Sequence, residues 1–185
     1  MAGPRTTGGF VLVVGPSGAG KDTVIAAARA RLADDPCFVF PRRLVTRPPS
    51  PHEDNAEIAE ADFSRGAAAG DFPLHWRAHG LGYAIPADAL AEAARGRIVV
   101  CNVSRRVIEA ARRTLPGVHV VAIAAAPEIL AERLAARGRP EDGDLAARLA
   151  RAVPAEADDT VANDGDRSVA AARFVAILLD RAGRR

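Results

Sequence analysis

Phe10-Val11-Leu12-Val13-Val14 runs directly into Gly15-Pro16-Ser17-Gly18-Ala19-Gly20-Lys21-Asp22-Thr23, and an alanine-rich segment, Val24 to Leu32, follows. An unbroken apolar run ahead of a glycine cluster reads as a strand buried on both faces. The segment beyond the cluster reads as a helix, so the order is strand, glycine loop, helix. That order makes a P-loop: backbone N–H groups wrap a polyphosphate, the positive end of the helix faces it, and the lysine reaches the outer phosphates. Gly15, Pro16, Ser17, Gly18, Ala19, Gly20, Lys21, Asp22 and Thr23 are therefore the candidates for binding ATP, with Lys21 also acting in catalysis. One position breaks the pattern. The residue after the lysine, where a Ser or Thr hydroxyl normally meets Mg²⁺, is Asp22, and Thr23 comes one place late. Both are candidate ligands of Mg²⁺, the expected cofactor.

The 185 residues suffice for one well-buried domain. A formal charge of +2 gives no electrostatic support for nucleic-acid binding. Lys21 is the only lysine among 25 basic residues. Composition bias explains the arginines, yet the one compact ammonium falls where phosphate is expected. A single lysine, used in the loop, also rules out the Asn-Lys-x-Asp guanine reader of GTPases. Cys37 and Cys101 lie in apolar sequence without metal spacing and read as buried free thiols in a reducing compartment. Met1 to Gly9 does not read as a signal peptide and no run approaches a membrane span, so a cytoplasmic protein is expected. A monomer and a homodimer fit the composition equally.

After the first helix, at 20–33, Phe38-Val39-Phe40 and Arg42 to Thr46 read as one interrupted strand or two short ones. Arg47 to Asn55 is a proline-rich polar loop that cannot be helical. A short helix over 59–69 leads to alternating Phe72, Leu74 and Trp76, a strand with one packed face, and then to a turn or hairpin over 78–83. Helices open near Pro86, Ser104 and Pro127, strands fall at 98–101 and 118–124, and a further helix carries Leu145, Leu149 and Val153. A short strand at 160–162 and a helix over 167–182 close the chain. Strands alternating with helices predict an α/β fold with a parallel sheet and right-handed crossovers. The expected division is a core over 9–36 and 86–182 with an inserted region at 37–85, all within one domain.

Three arginine groups carry two readings each. Arg42, Arg43 and Arg47 are either solvated charges or a fork-like grip on substrate phosphates. Arg133, Arg137, Arg139 and Arg148, around the break between two helices, are either surface charges or the cations of a lid over the transferring phosphoryl group. Asn102-Val103-Ser104-Arg105 follows a buried strand, where polar groups face the usual ligand crevice of a parallel sheet, although Ser104 also suits a plain helix cap.

Gly15-Pro16-Ser17-Gly18-x-Gly20-Lys21, Thr46-Arg47-Pro48-Pro49, Tyr83, Arg133-Leu134-x-x-Arg137-Gly138 and Asn163-Asp164 resemble guanylate kinases, in the same order and over about residues 9–180. That likeness implies a three-layer P-loop kinase core, an inserted substrate-binding region at 37–85 and an arginine-rich lid at 137–148, with Asn163 near the adenine of ATP. Guanylate kinases usually read T-R-x-P-R-x-G-E. Here Ser50 replaces the second arginine, His52 the glycine, and His75 falls where a base-reading carboxylate is expected. A pocket without that carboxylate loses its discrimination for guanine.

The departures match the related ribose 1,5-bisphosphate phosphokinase family. The resembling motifs are G-P-S-G-x-G-K-D-T (15–23), V-T-R-P (45–48), W-x-A-H-G-L-x-Y-x-I-P (76–86), N-x-S-R (102–105) and P-E-x-L-x-x-R-L-x-x-R-G (127–138), with Val103 where the family more often has glycine. The resemblance implies transfer of phosphate from ATP to ribose 1,5-bisphosphate to give phosphoribosyl pyrophosphate, in phosphonate metabolism. ATP and a sugar bisphosphate would be the only partners, without nucleic acid or membrane. The substrate phosphates would meet Arg42, Arg43, Arg47 and Arg105, with His79, Tyr83, Asn102 and Ser104 on sugar or phosphate oxygens, although His79 has a purely structural reading too. Lys21, Arg137 and Arg148 would be catalytic, and Arg133 and Asn163 would join the ATP site. A guanylate kinase and a non-catalytic interaction module of the same fold remain the alternatives.

Overall fold

The apolar run and glycine loop take their expected form in a computed structural model of the chain, which describes residues 8–49, 54–137 and 157–184. Strand β1 (Gly9–Val14) is buried throughout and the loop leads into helix α1 (Lys21–Arg31). Four further strands lie parallel to β1: β2 (Phe38–Val39), β7 (Ile98–Asn102), β8 (His119–Ala124) and β9 (Asp159–Ala162), in the order β2-β7-β1-β8-β9. The strands between β2 and β7 in the chain, with helix α2 (Glu60–Ala69), form a second sheet, β4-β3-β6-β5, from β3 (Arg43–Val45), β4 (Asn55–Glu57), β5 (Leu74–Ala78) and β6 (Leu81–Ile85). Helices α3 (Asp88–Ala94), α4 (Ile108–Thr114), α5 (Pro127–Arg137) and α6 (Arg167–Arg181) complete the described elements.

The period-2 alternation of strand side chains divides the core into two layers. Val11, Val13, Ile98 and Val100 pack with Val24 and Ala28 of α1 and Phe174 and Leu178 of α6. Phe10, Leu12, Val14, Val99 and Cys101 face the other way, onto Ala89 and Ala93 of α3 and Ile108 and Ala111 of α4. Helices thus cover both faces of a parallel sheet, the α/β architecture expected from the sequence. Burial pushes the Cys101 thiol up to about 12, a shift that the nearby Arg43 charge offsets only in part. The thiol is inert at neutral pH. Cys37 is half-buried rather than buried, and Arg184 Nη2 donates to its Sγ at 2.9 Å.

Several local expectations are settled between their alternatives, and others are corrected. The two short apolar runs near 38–46 are separate strands of different sheets: Phe38–Val39 pair with β7, and Leu44–Val45 with β6. The second sheet therefore departs from the first after Phe40. The polar loop stops short of Asn55, which begins β4 and pairs with Arg43. No hydrophobic alternation marked β4 because it is a three-residue edge strand, Asn55-Ala56-Glu57. The segment 78–83 is a hairpin, and its tip, His79-Gly80, has φ of 52° and 76°. Positive φ at both central positions is the turn that matches strand twist. Ser104 caps a short 3-10 turn, Arg105–Val107, which comes before α4. The helix expected around Leu145 to Val153 lies outside the described residues. Among the described residues, no helix is long and apolar enough to cross a membrane.

Candidate functional site

The loop after β1 is held from three sides. Lys21 Nζ, half-buried, folds back to donate to the carbonyls of Gly15 at 2.9 Å and Pro16 at 3.0 Å. Arg133, on α5, donates from Nη1 to Gly18 O at 3.4 Å. Asn163, just past β9, is 2% exposed and donates from Nδ2 to Ala19 O at 2.7 Å. Asn163, expected near adenine from the motif resemblance, supports the backbone of the loop. Its Oδ1 is buried without a hydrogen-bond partner. The amide bridges the end of the last sheet strand and the loop.

Asp22, in the first turn of α1, meets Asn102 at the carboxyl end of β7. The Asn102 Nδ2 group donates to Asp22 Oδ1 at 2.7 Å. Strand register explains the meeting: Asn102 stands beside Val13, the second-last residue before the loop, and alternation turns it to the α1 side with Ile98 and Val100. Sequence reasoning placed Asn102 on the acceptor; the structure commits its side chain to Asp22. The other Asp22 oxygen could take a hard cation, a chemistry that suits a carboxylate. Thr23, one step further round the helix, is exposed. Among the described residues there is no group of three or more His, Cys, Asp or Glu able to cage a metal ion. The donor set suits an ion that arrives with phosphate.

The second sheet brings its own cation to the same place. Arg43 donates from Nη1 to Asn102 O at 3.4 Å and from Nε to Asn55 Oδ1 at 3.2 Å. Its guanidinium also lies over the Tyr83 ring, 5.1 Å from the centroid, and Tyr83 stacks on Trp76 at 5.5 Å. Val45, Tyr83 and Trp76 share a face by register, so Arg43, two residues from Val45, projects there too. Arg43 is thus oriented on three sides, which lowers the entropy cost of presenting it to an anion. Arg47, half-buried, follows β3, and Arg105 opens the 3-10 turn beyond Asn102. His79 is exposed at the hairpin tip.

Two residues are turned elsewhere. His75 pairs with Ala84 and meets Phe63 of α2 and Phe72 edge-on, on the face opposite Trp76 and Tyr83. Arg42 pairs with Asp54 at 2.7 Å and donates to Asn55 O at 2.8 Å. Arg29 of α1 pairs with the same Asp54 and donates to Phe40 O at 3.1 Å. This clamp ties α1 to the second sheet, and neither Arg29 nor Asp54 carries a sequence signal, since their contact spans 25 positions. Arg137 is the last residue of α5, and its side chain, like Arg139, Arg148 and the expected lid over 137–148, lies outside the described residues.

The clamp gives a pH test. Hydrogen bonding from Arg29, opposed by burial and reinforced by Arg42, holds the Asp54 carboxyl below its ordinary value. A lowered folded pKa means that the unfolded chain takes up the proton first as pH falls. The contribution is therefore present above the unfolded value, about 3.9, and is lost as pH drops through the folded one. Asp54→Asn should lower the urea midpoint at about pH 6, and the gap to the parent should close below about pH 4. A gap of constant size across that range would show that the carboxylate charge is not what holds the clamp.

No protein-family model matches the chain. A curated ribose 1,5-bisphosphate phosphokinase of Methylobacterium radiotolerans is 63% identical over 171 residues, covering 92% of this chain and 97% of that protein. One of Acidiphilium cryptum is 53% identical over 177 residues, covering 95% and 94%. Among solved structures, guanylate kinase from Anaplasma phagocytophilum aligns with a TM-score of 0.65 at 18% identity, over 96% of this chain and 88% of that one. That likeness concerns the fold alone.

Proposed function

The chain belongs to the ribose 1,5-bisphosphate phosphokinase family, and from that premise we propose that it transfers the γ-phosphoryl group of ATP to ribose 1,5-bisphosphate. The products are ADP and 5-phosphoribosyl 1-pyrophosphate. The observation on this chain that best supports transfer between two substrates is the unbroken run of contacts from loop to second sheet. Asp22 is bonded to Asn102, the Asn102 carbonyl to Arg43, and Arg43 lies on Tyr83. One end belongs to the triphosphate cradle and the other carries an oriented guanidinium.

In this reading the attacking group is an oxygen of the 1-phosphate, already ionised at neutral pH, so no side chain need remove a proton. The residues align the two phosphates and offset their charge. Lys21 moves from the Gly15 and Pro16 carbonyls to the outer phosphates of ATP. Arg43, Arg47 and Arg105 hold the acceptor phosphates, while Tyr83 and His79 take sugar or phosphate oxygens. Asp22 would hold a divalent cation, Mg²⁺ in our reading, which would supply further charge neutralisation. The roles of Arg137 and Arg148 as lid cations rest on the motif resemblance.

The test is ADP release with ribose 1,5-bisphosphate, with GMP and with no acceptor, in otherwise identical assays. Turnover with the sugar bisphosphate should exceed that with GMP by roughly 100-fold or more, because a site built for one set of polar partners rejects a ligand that leaves them unpaired. Faster turnover with GMP would make the chain a nucleoside monophosphate kinase. ATP binding without turnover on any acceptor would favour an interaction module.

A further inference from the structure

In P-loop enzymes of the usual pattern, two protein groups share the metal: a hydroxyl directly after the loop lysine, and a carboxylate on a separate strand. This chain has both places filled by the wrong kinds of residue. The carboxylate, Asp22, follows the lysine, and the end of the adjacent strand β7 carries an amide, Asn102. The two are in direct contact, with the amide nitrogen 2.7 Å from Asp22 Oδ1.

We propose that Asp22 and Asn102 form a single transposed metal-binding unit, in which the carboxylate has moved from strand to loop and Asn102 is the positioning residue that aims it. The inference rests on the ATP-dependent transfer proposed above and adds to it a role for a residue that touches neither phosphate directly. Three physical points carry it. First, one carboxylate remains at this junction, so the charge offered to a cation is preserved and only its side changes. A second carboxylate at 102 would set two acceptors against each other at hydrogen-bond distance, which is unfavourable until one is protonated or bridged by a cation. A hydroxyl at 22 with an amide at 102 would leave no anionic ligand.

Second, Asp22 has few other constraints. It lies in the first turn of α1, half-exposed, and the amide from β7 is the hydrogen bond that selects its rotamer. Groups behind a metal ligand fix its direction in this way and are commonly worth ten- to a hundredfold in metal affinity. Third, Asn102 is itself anchored at both ends. Its side chain faces α1 because Ile98, Val100 and Asn102 share a side of β7, and its carbonyl accepts from Arg43. The aim of the carboxylate is thereby tied to the guanidinium on the acceptor side.

The experiment measures Mn²⁺ binding to the complex with a non-hydrolysable ATP analogue, by loss of the free-ion electron paramagnetic resonance signal, alongside thermal unfolding. Asp22→Thr should weaken Mn²⁺ binding by about tenfold or more. Adding Asn102→Asp to it restores the usual arrangement and should return binding to within about threefold of the parent, a coupling that independent sites do not show. A double variant that binds Mn²⁺ no tighter than Asp22→Thr overturns the proposal. Asn102→Ala removes the donor and adds no charge. It should weaken Mn²⁺ binding about tenfold while metal-free nucleotide binding stays level; equal loss of both, or of neither, overturns the proposal. The probe contains no acceptor, so a wrong sugar substrate shows only in the ADP-release comparison and leaves this result readable.

Discussion

Lys21→Ala should lower kcat/KM for ATP-dependent transfer by about 10³-fold, or roughly 4 kcal/mol of transition-state stabilisation. The ammonium rests on the Gly15 and Pro16 carbonyls at 2.9 and 3.0 Å, so it is stored within reach of the phosphates the loop encloses. Charge spreads over the oxygens of the transferring group as the bond breaks, and a fixed cation at that point is worth more there than in the ground state. Folding should suffer much less. Removing a half-exposed donor from two carbonyls costs about 1 kcal/mol, a shift of a few degrees in the unfolding midpoint for a domain of this size. Lys21→Arg should not rescue the rate, because a planar fork cannot reproduce a compact ammonium on a flexible stem. Turnover within tenfold of the parent in Lys21→Ala would take Lys21 out of the chemistry.

Gly15→Ala should be the more damaging change to the fold. Gly15 has φ of 147°, and a Cβ built there would stand 2.2 Å from the carbonyl oxygen of Ile123. That oxygen belongs to β8, which pairs with β1 through Val11 to Val14, so neither chain can retreat without breaking the ladder. Backbone strain and overpacking together should cost about 3 kcal/mol or more, and ATP should no longer raise the unfolding temperature. Gly80→Ala is the matched control. Its φ is 76° but no atom lies within 4 Å of the added Cβ, so only the left-handed backbone penalty of about 1–2 kcal/mol applies. Equal losses in the two variants would mean that the contact with Ile123 is not what demands glycine.

The candidate site was legible where its chemistry is local. Gly15 to Thr23 declare a phosphate loop through backbone freedom, a helix start and one lysine, all within nine consecutive residues. Arg43 was singled out from an arginine cluster and Tyr83 and Arg133 from motifs, and each touches the loop, Asn102 or another of them. The residues whose surroundings the sequence did not show depend on which way a side chain turns. His75 and Trp76 are neighbours, and a shift of one position along β5 separates the α2 face from the Tyr83 face. Arg42 and Arg43 are neighbours too, yet one pairs with Asp54 and the other reaches Asn102. Edge strand β4 was hidden for the same kind of reason. Its three residues are held by pairing with β3, while their own β-propensity argues against a strand.

The sequence by itself determined that a buried strand, a glycine loop and a helix bind a polyphosphate, and that the core is a parallel sheet with helices on both faces. Apolar runs, glycine freedom and alternation act over a few residues, so their consequences are fixed before any distant contact forms. Only the tertiary structure decided what surrounds the irregular Asp22. Its partner Asn102 is 80 positions away, and the buried Asn163 that props the loop at Ala19 is 144 positions away. Such pairs are brought together by strand order, since β7 and β8 flank β1 in space while helices and a whole second sheet separate them along the chain. The order of strands in the sheet is what turns a carboxylate in an unusual place into one half of a working pair.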